Sequence, residues 1–250
     1  MTLDDLPRPP AETFRSRGHC ILPDLLDAAA LASARAAAIA LERTVTTADG
    51  AALARMAAQA GRDPDDFSFE AAAQDDGART LRKLSGVQAY DPVLRDLPAR
   101  VGLGGIAAGL LGAPRVRMLN AMLWWKSHRV VSRQPWHQDK FAAPPDFDSR
   151  YRGAVHVWVA LTDVTTGNGC MWMVDRPAHG TMLPHVPSND PRDGARLSIR
   201  LSAEERRSAR PMQIAAGSAV AFDTLTPHAT SENTSQAPRP VVSYFYVWER

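Results

Sequence analysis

The sequence is short of cysteine, of aromatics, of net charge and of long apolar runs. Its 250 residues include two cysteines, Cys20 and Cys170. Two cannot build a disulfide framework or a cysteine-rich zinc site, so the chain reads as cytoplasmic. Lys and Arg number 29 against 27 Asp and Glu, a formal net charge of +2. That balance offers no basic footprint for nucleic acid. The longest weakly polar run, 101–114, is too short and glycine-rich to span a bilayer. Residues 1–10 are acidic and proline-rich and lack the apolar stretch of a leader peptide. What remains is ordinary globular composition, 45% hydrophobic and 22% charged. It excludes a disordered, collagenous or coiled-coil chain. The length predicts a single domain over 1–250 with a sizeable core.

The texture changes near residue 115. Before it the chain is alanine-rich and reads as a helical annex over 1–114. Asp24 or Asp27 is placed to cap a helix reaching about Val45, a second helix spans 51–60, and Asp91-Pro92 opens a third that runs to Leu111. After 115 come short apolar runs at 116–125, 154–161, 170–174, 219–222 and 241–248, separated by Pro, Gly and Asp. Such runs predict an antiparallel sandwich or jelly roll over 115–250. The charged stretch 184–211 reads as a loop-rich insert, either a flap over a site or an irregular excursion.

The chemistry starts at Trp136-His137-Gln138-Asp139. His and Asp two apart on an extended strand point to the same side, so one metal ion can be reached by both. His228 lies 91 residues beyond His137, after an apolar strand. Two histidines and a carboxylate form the facial triad of non-haem iron(II) oxygenases, which leaves positions open for small ligands. Arg239, 11 residues beyond His228, opens the apolar run 241–248. A guanidinium projecting into a barrel needs a carboxylate partner, and its fork suits a bidentate one. The distal carboxylate of 2-oxoglutarate fits that requirement. His156 shares strand parity with Trp158, so both point into the barrel.

The stretch 122–246 resembles the phytanoyl-CoA dioxygenase family of Fe(II)/2-oxoglutarate-dependent oxygenases. The matching pieces are Trp-His-Gln-Asp at 136–139, Val157-Trp158-Val159-Ala160-Leu161-Thr162-Asp163-Val164 and Asn168-Gly169-Cys170. Gly217-Ser218-Ala219-Val220-Ala221-Phe222, His228, Ser231-Glu232-Asn233 and Arg239 follow in family order. The resemblance implies a double-stranded β-helix (jelly roll, cupin-like) with the N-terminal helices packed on it. It implies iron ligation by His137, Asp139 and His228, with 2-oxoglutarate and O2 as cosubstrates. Arg239 and Thr230 match the residues that hold the 2-oxoglutarate carboxylate. Trp158, Met122 and Gln138 match positions that line its pocket, and Lys83 resembles a family lysine upstream of the barrel. Because Asp139 is present, the resemblance implies a hydroxylase-type enzyme and not a halogenase.

One departure is visible. Where the family has a Pro-Gly-Ser/Thr-His turn, this chain reads Val174-Asp175-Arg176-Pro177-Ala178-His179-Gly180. The resemblance implies a small-molecule substrate such as a secondary metabolite, an amino acid or an acyl thioester. The residues expected to face it are His156, Trp125, Lys140, Phe141 and Trp172. His19 reads as a surface residue, His128 as part of a polar turn, and Cys170 as buried. Two other readings remain at this point: a cupin-like metal enzyme that uses no 2-oxoglutarate, and a non-catalytic binding relative.

Overall fold

The computed structural model describes residues 9–70, 79–128, 132–188, 190, 193 and 197–250. Among the described residues the helices before the main run of strands are α1 (Pro10–Arg17), α2 (Ala28–Thr47), α3 (Gly50–Gln59), α4 (Val87–Tyr90), α5 (Pro92–Arg100) and α6 (Leu103–Leu111). Asp27 starts α2, its carboxylate accepting from the Ala30 amide at 2.6 Å. The buried stripe Ala30, Ala34, Ala38, Leu41 and Val45 follows helical periodicity. Its small side chains let α2 approach the core closely. The predicted helix over 92–111 is two helices. Gly102, at φ 64°, takes a left-handed conformation that ends one and starts the next.

The strands among the described residues are β1 (His19–Leu22), β2 (Phe67–Phe69), β3 (Leu81–Ser85), β4 (Arg117–Lys126), β5 (Gln134–His137), β6 (Tyr151–Ala160), β7 (Met171–Met173), β8 (His185–Pro187), β9 (Leu197–Ile199), β10 (Arg210–Met212), β11 (Ala219–Asp223), β12 (His228–Thr230) and β13 (Arg239–Glu249). Two short helices, α7 (Phe147–Arg150) and α8 (Ala203–Ser208), lie between strands. A seven-stranded sheet runs β1-β11-β6-β13-β4-β3-β2, and a four-stranded sheet runs β10-β7-β12-β5. Every strand pair in both is antiparallel. The chain is therefore mainly β with helices. The alanine-rich third is not wholly helical, because β1, β2 and β3 lie inside it and join the large sheet.

Strand parity divides the large sheet into two faces. Leu123, Val155, Val157, Val159, Ala221, Val242 and Tyr244 pack with the helices in the main core. Tyr244 donates to the Leu94 carbonyl of α5 at 2.7 Å, tying sheet to helix. The alternate residues, Trp158, Ala160, Val220, Phe222 and Val241, meet Met171, Met173 and Met212 of the small sheet. The site opens within this inter-sheet layer.

The stretch 184–211 is partly regular. It holds the hairpin β8–β9, the helix α8 with a Ser202–Glu205 capping box, and the start of β10. Residues 189, 191–192 and 194–196 of it lie outside the described residues, as do 1–8. His19 is buried, not on the surface as its polarity predicted, with Nε2 2.9 Å from Asp175 Oδ1. Among the described residues no helix is long and apolar enough to cross a membrane.

Candidate active site

Three ligand atoms converge between the sheets. His137 closes β5, and Asp139 begins a 3-10 turn over Asp139–Ala142. The His-x-Asp pair is thus not carried by one continuous strand. The turn aims the carboxylate back at His137, whose Nε2 lies 3.4 Å from Asp139 Oδ1. His228 opens β12 and pairs directly with His137 across the small sheet. Its Nε2 is 3.7 Å from the same oxygen, and the two rings stand 4.1 Å apart. One atom from each residue lies within 4.8 Å of the others, as one shared metal ion requires.

The outer nitrogens are committed. His137 Nδ1 donates to the Pro135 carbonyl at 2.8 Å, and His228 Nδ1 donates to the Thr226 carbonyl at 2.9 Å. Each bond fixes the tautomer that leaves Nε2 as a lone-pair donor toward the centre. Burial, reinforced by His137, pushes His228 down to about 4, so it is neutral at physiological pH. Burial opposes ionisation of Asp139. The surrounding His228, His156 and His137 outweigh it and hold the carboxyl well below the usual carboxylate range.

Arg239 begins β13, 2% exposed, with its guanidinium 4.8 Å from the centre of the Trp158 ring. Its Nε and Nη1 have no partner. Burial lowers it to about 10, which still leaves it cationic at neutral pH. Lys126 lies nearby, its Nζ bonded to the carbonyls of Ser132 and Ser231 at 3.0 and 2.7 Å. Burial and the charge of Arg239 push it down to about 7. An unpaired buried guanidinium costs several kcal/mol unless an anion meets it. The donor set fits an iron ion on the triad and a dicarboxylate reaching Arg239.

A cavity of about 780 Å3 joins these groups and includes Met122, Trp158, Thr230, Lys83, Lys140 and Phe141 in its lining. Lys83 Nζ lies 5.5 Å from the centre of the Trp124 ring. Thr230 Oγ1 accepts from the Gln134 amide and keeps its own proton to donate. His156 is buried beside Asp139. Phe141 stacks on His185, whose Nε2 accepts from the Gln138 amide.

Two expected lining residues carry other duties as well, and one is corrected. Gln138 lies at the cavity, but its amide is spent on backbone: Nε2 donates to Thr181 and Leu225 carbonyls, and Oε1 accepts from the Leu183 amide. It lines the pocket as expected and at the same time pins a loop. Trp125 touches the cavity edge, yet its side chain belongs to the helix-side core, because parity gives the cavity face to Met122, Trp124 and Lys126. Trp172 is not among the lining residues; its neighbour Met171 is. Sequence reasoning missed Ser243 and Phe245, although both share parity with Arg239 on β13. It also missed Phe147, which sits in a four-residue helix without periodic signal. The divergent 174–180 turn docks on the N-terminal segment, with the amides of Arg176 and Ala178 donating to the carbonyls of Arg17 and Arg15.

A sequence model of the phytanoyl-CoA dioxygenase family matches residues 14–241. The chain belongs to that family. Among curated relatives, this family member is 25% identical over 192 residues to a probable phytanoyl-CoA dioxygenase of Caenorhabditis elegans. The match covers 72% of this chain and 59% of the nematode protein, so the chain spans less than two thirds of that relative's length. It is 26% identical over 186 residues to the L-proline trans-4-hydroxylase of Streptomyces griseoviridis, covering 69% of each. Among solved structures, EvdO2 from Micromonospora carbonacea var. aurantiaca is 25% identical with a TM-score of 0.68, covering 96% of this chain and 90% of that one. EvdO2 has also been solved with 2-oxoglutarate.

Proposed function

We propose that this family member is a non-haem Fe(II)/2-oxoglutarate-dependent dioxygenase that oxidises, by hydroxylation, a C–H bond of a small molecule. The observation that carries the reading is the pairing of the converged triad with the buried, partnerless Arg239 in one cavity. The triad alone would serve a metal enzyme without 2-oxoglutarate. Arg239 supports the dicarboxylate, because a cation with two unsatisfied buried atoms calls for an anion. The two facing sheets around this centre form a double-stranded β-helix, and helices and sheets work as one domain.

When bound, iron(II) with 2-oxoglutarate and dioxygen supplies the oxidising power, with succinate and carbon dioxide as co-products. The chain's own residues place the parts. His137, Asp139 and His228 hold the metal, and Arg239 with Thr230 holds the distal carboxylate. Trp158 covers the guanidinium and keeps water from it. Met122 borders the same pocket, and Lys83 adds positive charge to its rim. Phe147, Tyr151 and Phe245 form an apolar wall that holds substrate and excludes water.

The test is an anaerobic titration of apoprotein with Fe(II) and then 2-oxoglutarate. A weak visible charge-transfer band saturating at one equivalent is the expected result. Metal-loaded, folded protein that gives no band would leave a metal enzyme without this cosubstrate, or a non-catalytic relative.

The wall also bears on substrate. The cavity of about 780 Å3 is shared by the metal and 2-oxoglutarate positions, so only part of it is left for substrate, and its lining says more than its size. Among the described lining residues the carboxylates are Asp139 and Glu70, and Glu70 accepts from Ser132 Oγ at 2.8 Å. Basic groups outnumber them in the lining, which disfavours a substrate ammonium. Aromatic and basic side chains, Lys83 and Lys140 among them, therefore favour an aromatic or anionic small molecule. L-Proline should not raise succinate release above the substrate-free rate. Stimulation by L-proline at millimolar concentration would reject this substrate class and leave the cosubstrate reading intact.

A further inference from the structure

His156 has no place in the triad, yet it faces it. It lies on β6, 7% exposed, with Nε2 3.3 Å from Asp139 Oδ2. That is the second carboxylate oxygen. The first, Oδ1, is the one that faces both His137 and His228. The imidazole is also clamped. Phe245 stacks on it at 4.3 Å and Phe222 at 5.2 Å, each with an interplanar angle of 16°. Both partners are cross-strand neighbours: Phe222 of β11 and Phe245 of β13 each pair with His156 in register. The ring therefore has little rotational freedom, and its edge is directed at one oxygen.

We propose that His156 is a positioning residue that donates from Nε2 to Asp139 Oδ2, so that the carboxylate offers only Oδ1 to the metal. This rests on the dioxygenase reading given above. A carboxylate free to rotate could bind through both oxygens and occupy a position that a cosubstrate needs. A hydrogen bond to one oxygen removes that option and fixes the plane of the other. Such outer partners of metal ligands change metal affinity by about 10- to 100-fold when lost. The sequence expectation that His156 contacts substrate gives way to this role, since its Nε2 edge is turned to Asp139.

The substitution that separates this role from packing is His156→Phe. It keeps an aromatic ring between Phe222 and Phe245 and removes the donor. His156→Gln restores an N–H donor on a flexible arm. Isothermal titration of the full-length apoprotein with Mn(II), in the absence of substrate, reads the effect without turnover. His156→Phe should bind Mn(II) about 10- to 100-fold more weakly than wild type, and His156→Gln should recover most of the loss. The Fe(II)/2-oxoglutarate charge-transfer band should shift in His156→Phe and return toward its wild-type position in His156→Gln. Thermal melting of both apo variants confirms that they fold.

Wild-type Mn(II) affinity in a folded His156→Phe protein would overturn the inference while leaving the dioxygenase reading standing. Equal weakening in both variants would also overturn it, because packing and not the donor would then be at work. Wild-type protein that binds no metal would overturn both readings together.

Discussion

Asp139→Ala should lose Mn(II) and Fe(II) affinity by more than about 100-fold, beyond the loss expected for removing a ligand's hydrogen-bond partner. Succinate production should fall to background. The reason is charge as much as geometry. His137 and His228 turn their Nε2 atoms to the centre because their Nδ1 atoms donate to carbonyls, and neither brings negative charge. Asp139 is the one anionic member of the triad. Without it a dication meets two histidine nitrogens and no anion in a site that also contains the buried cation Arg239. The fold should survive, since Asp139 is 28% exposed and its turn is held by backbone bonds from Lys140 to the Thr224 carbonyl and from Phe141 to the Gln138 carbonyl. Titration calorimetry beside thermal melting checks both halves. Near-normal metal affinity in a folded Asp139→Ala protein would remove the triad from the mechanism.

Arg239→Met should do two opposite things. The apoprotein should become more stable by about 1–4 kcal/mol, the range seen when buried charged groups give way to packed apolar ones. For a chain of this size that is a rise in Tm of about 2–4 °C per kcal/mol. Affinity for 2-oxoglutarate should fall by about 2–5 kcal/mol, the cost of truncating one partner of a buried charge pair. That is a loss of about 30-fold to several thousand-fold. Metal affinity should be unchanged. The stability gain follows from Nε and Nη1, which are buried without partners, and from Lys126, which is relieved of a neighbouring charge. Apo melting curves and 2-oxoglutarate titration of the metal-loaded protein read the two effects. An unchanged 2-oxoglutarate Kd would end the role assigned to Arg239, whatever the melting temperature does.

Much of this site was legible in the sequence because the chemistry is carried by rare residues at fixed places. His137, Asp139, His228 and Arg239 are all where the motif reading put them, although Asp139 sits on a turn and not a strand. Strand parity placed His156 and Trp158 on one face, as the pairing of β6 with β13 requires. The failures share a physical cause, which is that register and side-chain commitments are long-range. Nothing local distinguishes Trp124 from Trp125; only pairing with β13 decides which faces the cavity. Gln138 lines the pocket as read, but nothing local shows that its amide also holds the loop at 181–183 and the Leu225 carbonyl. His19 reads as exposed because its partner Asp175 lies 156 residues away. The strands β1, β2 and β3 were hidden inside a helical composition because they are only three to five residues long.

The place of β13 has a consequence for how the protein comes to exist. It lies between β4 and β6 at the middle of the large sheet, yet it follows both in the chain by about 80 residues or more. A ribosome adds about 5–20 residues per second. For several seconds the nascent chain therefore carries two long strands whose facing edges have no partner. Such edges invite pairing with other chains. The last segment to emerge must be inserted between them, a step of high sequence separation and correspondingly slow folding. That same segment brings Arg239. A chain halted before residue 239 would leave the large sheet split and the anion site without its cation, so yield during expression and catalytic competence depend on one late insertion.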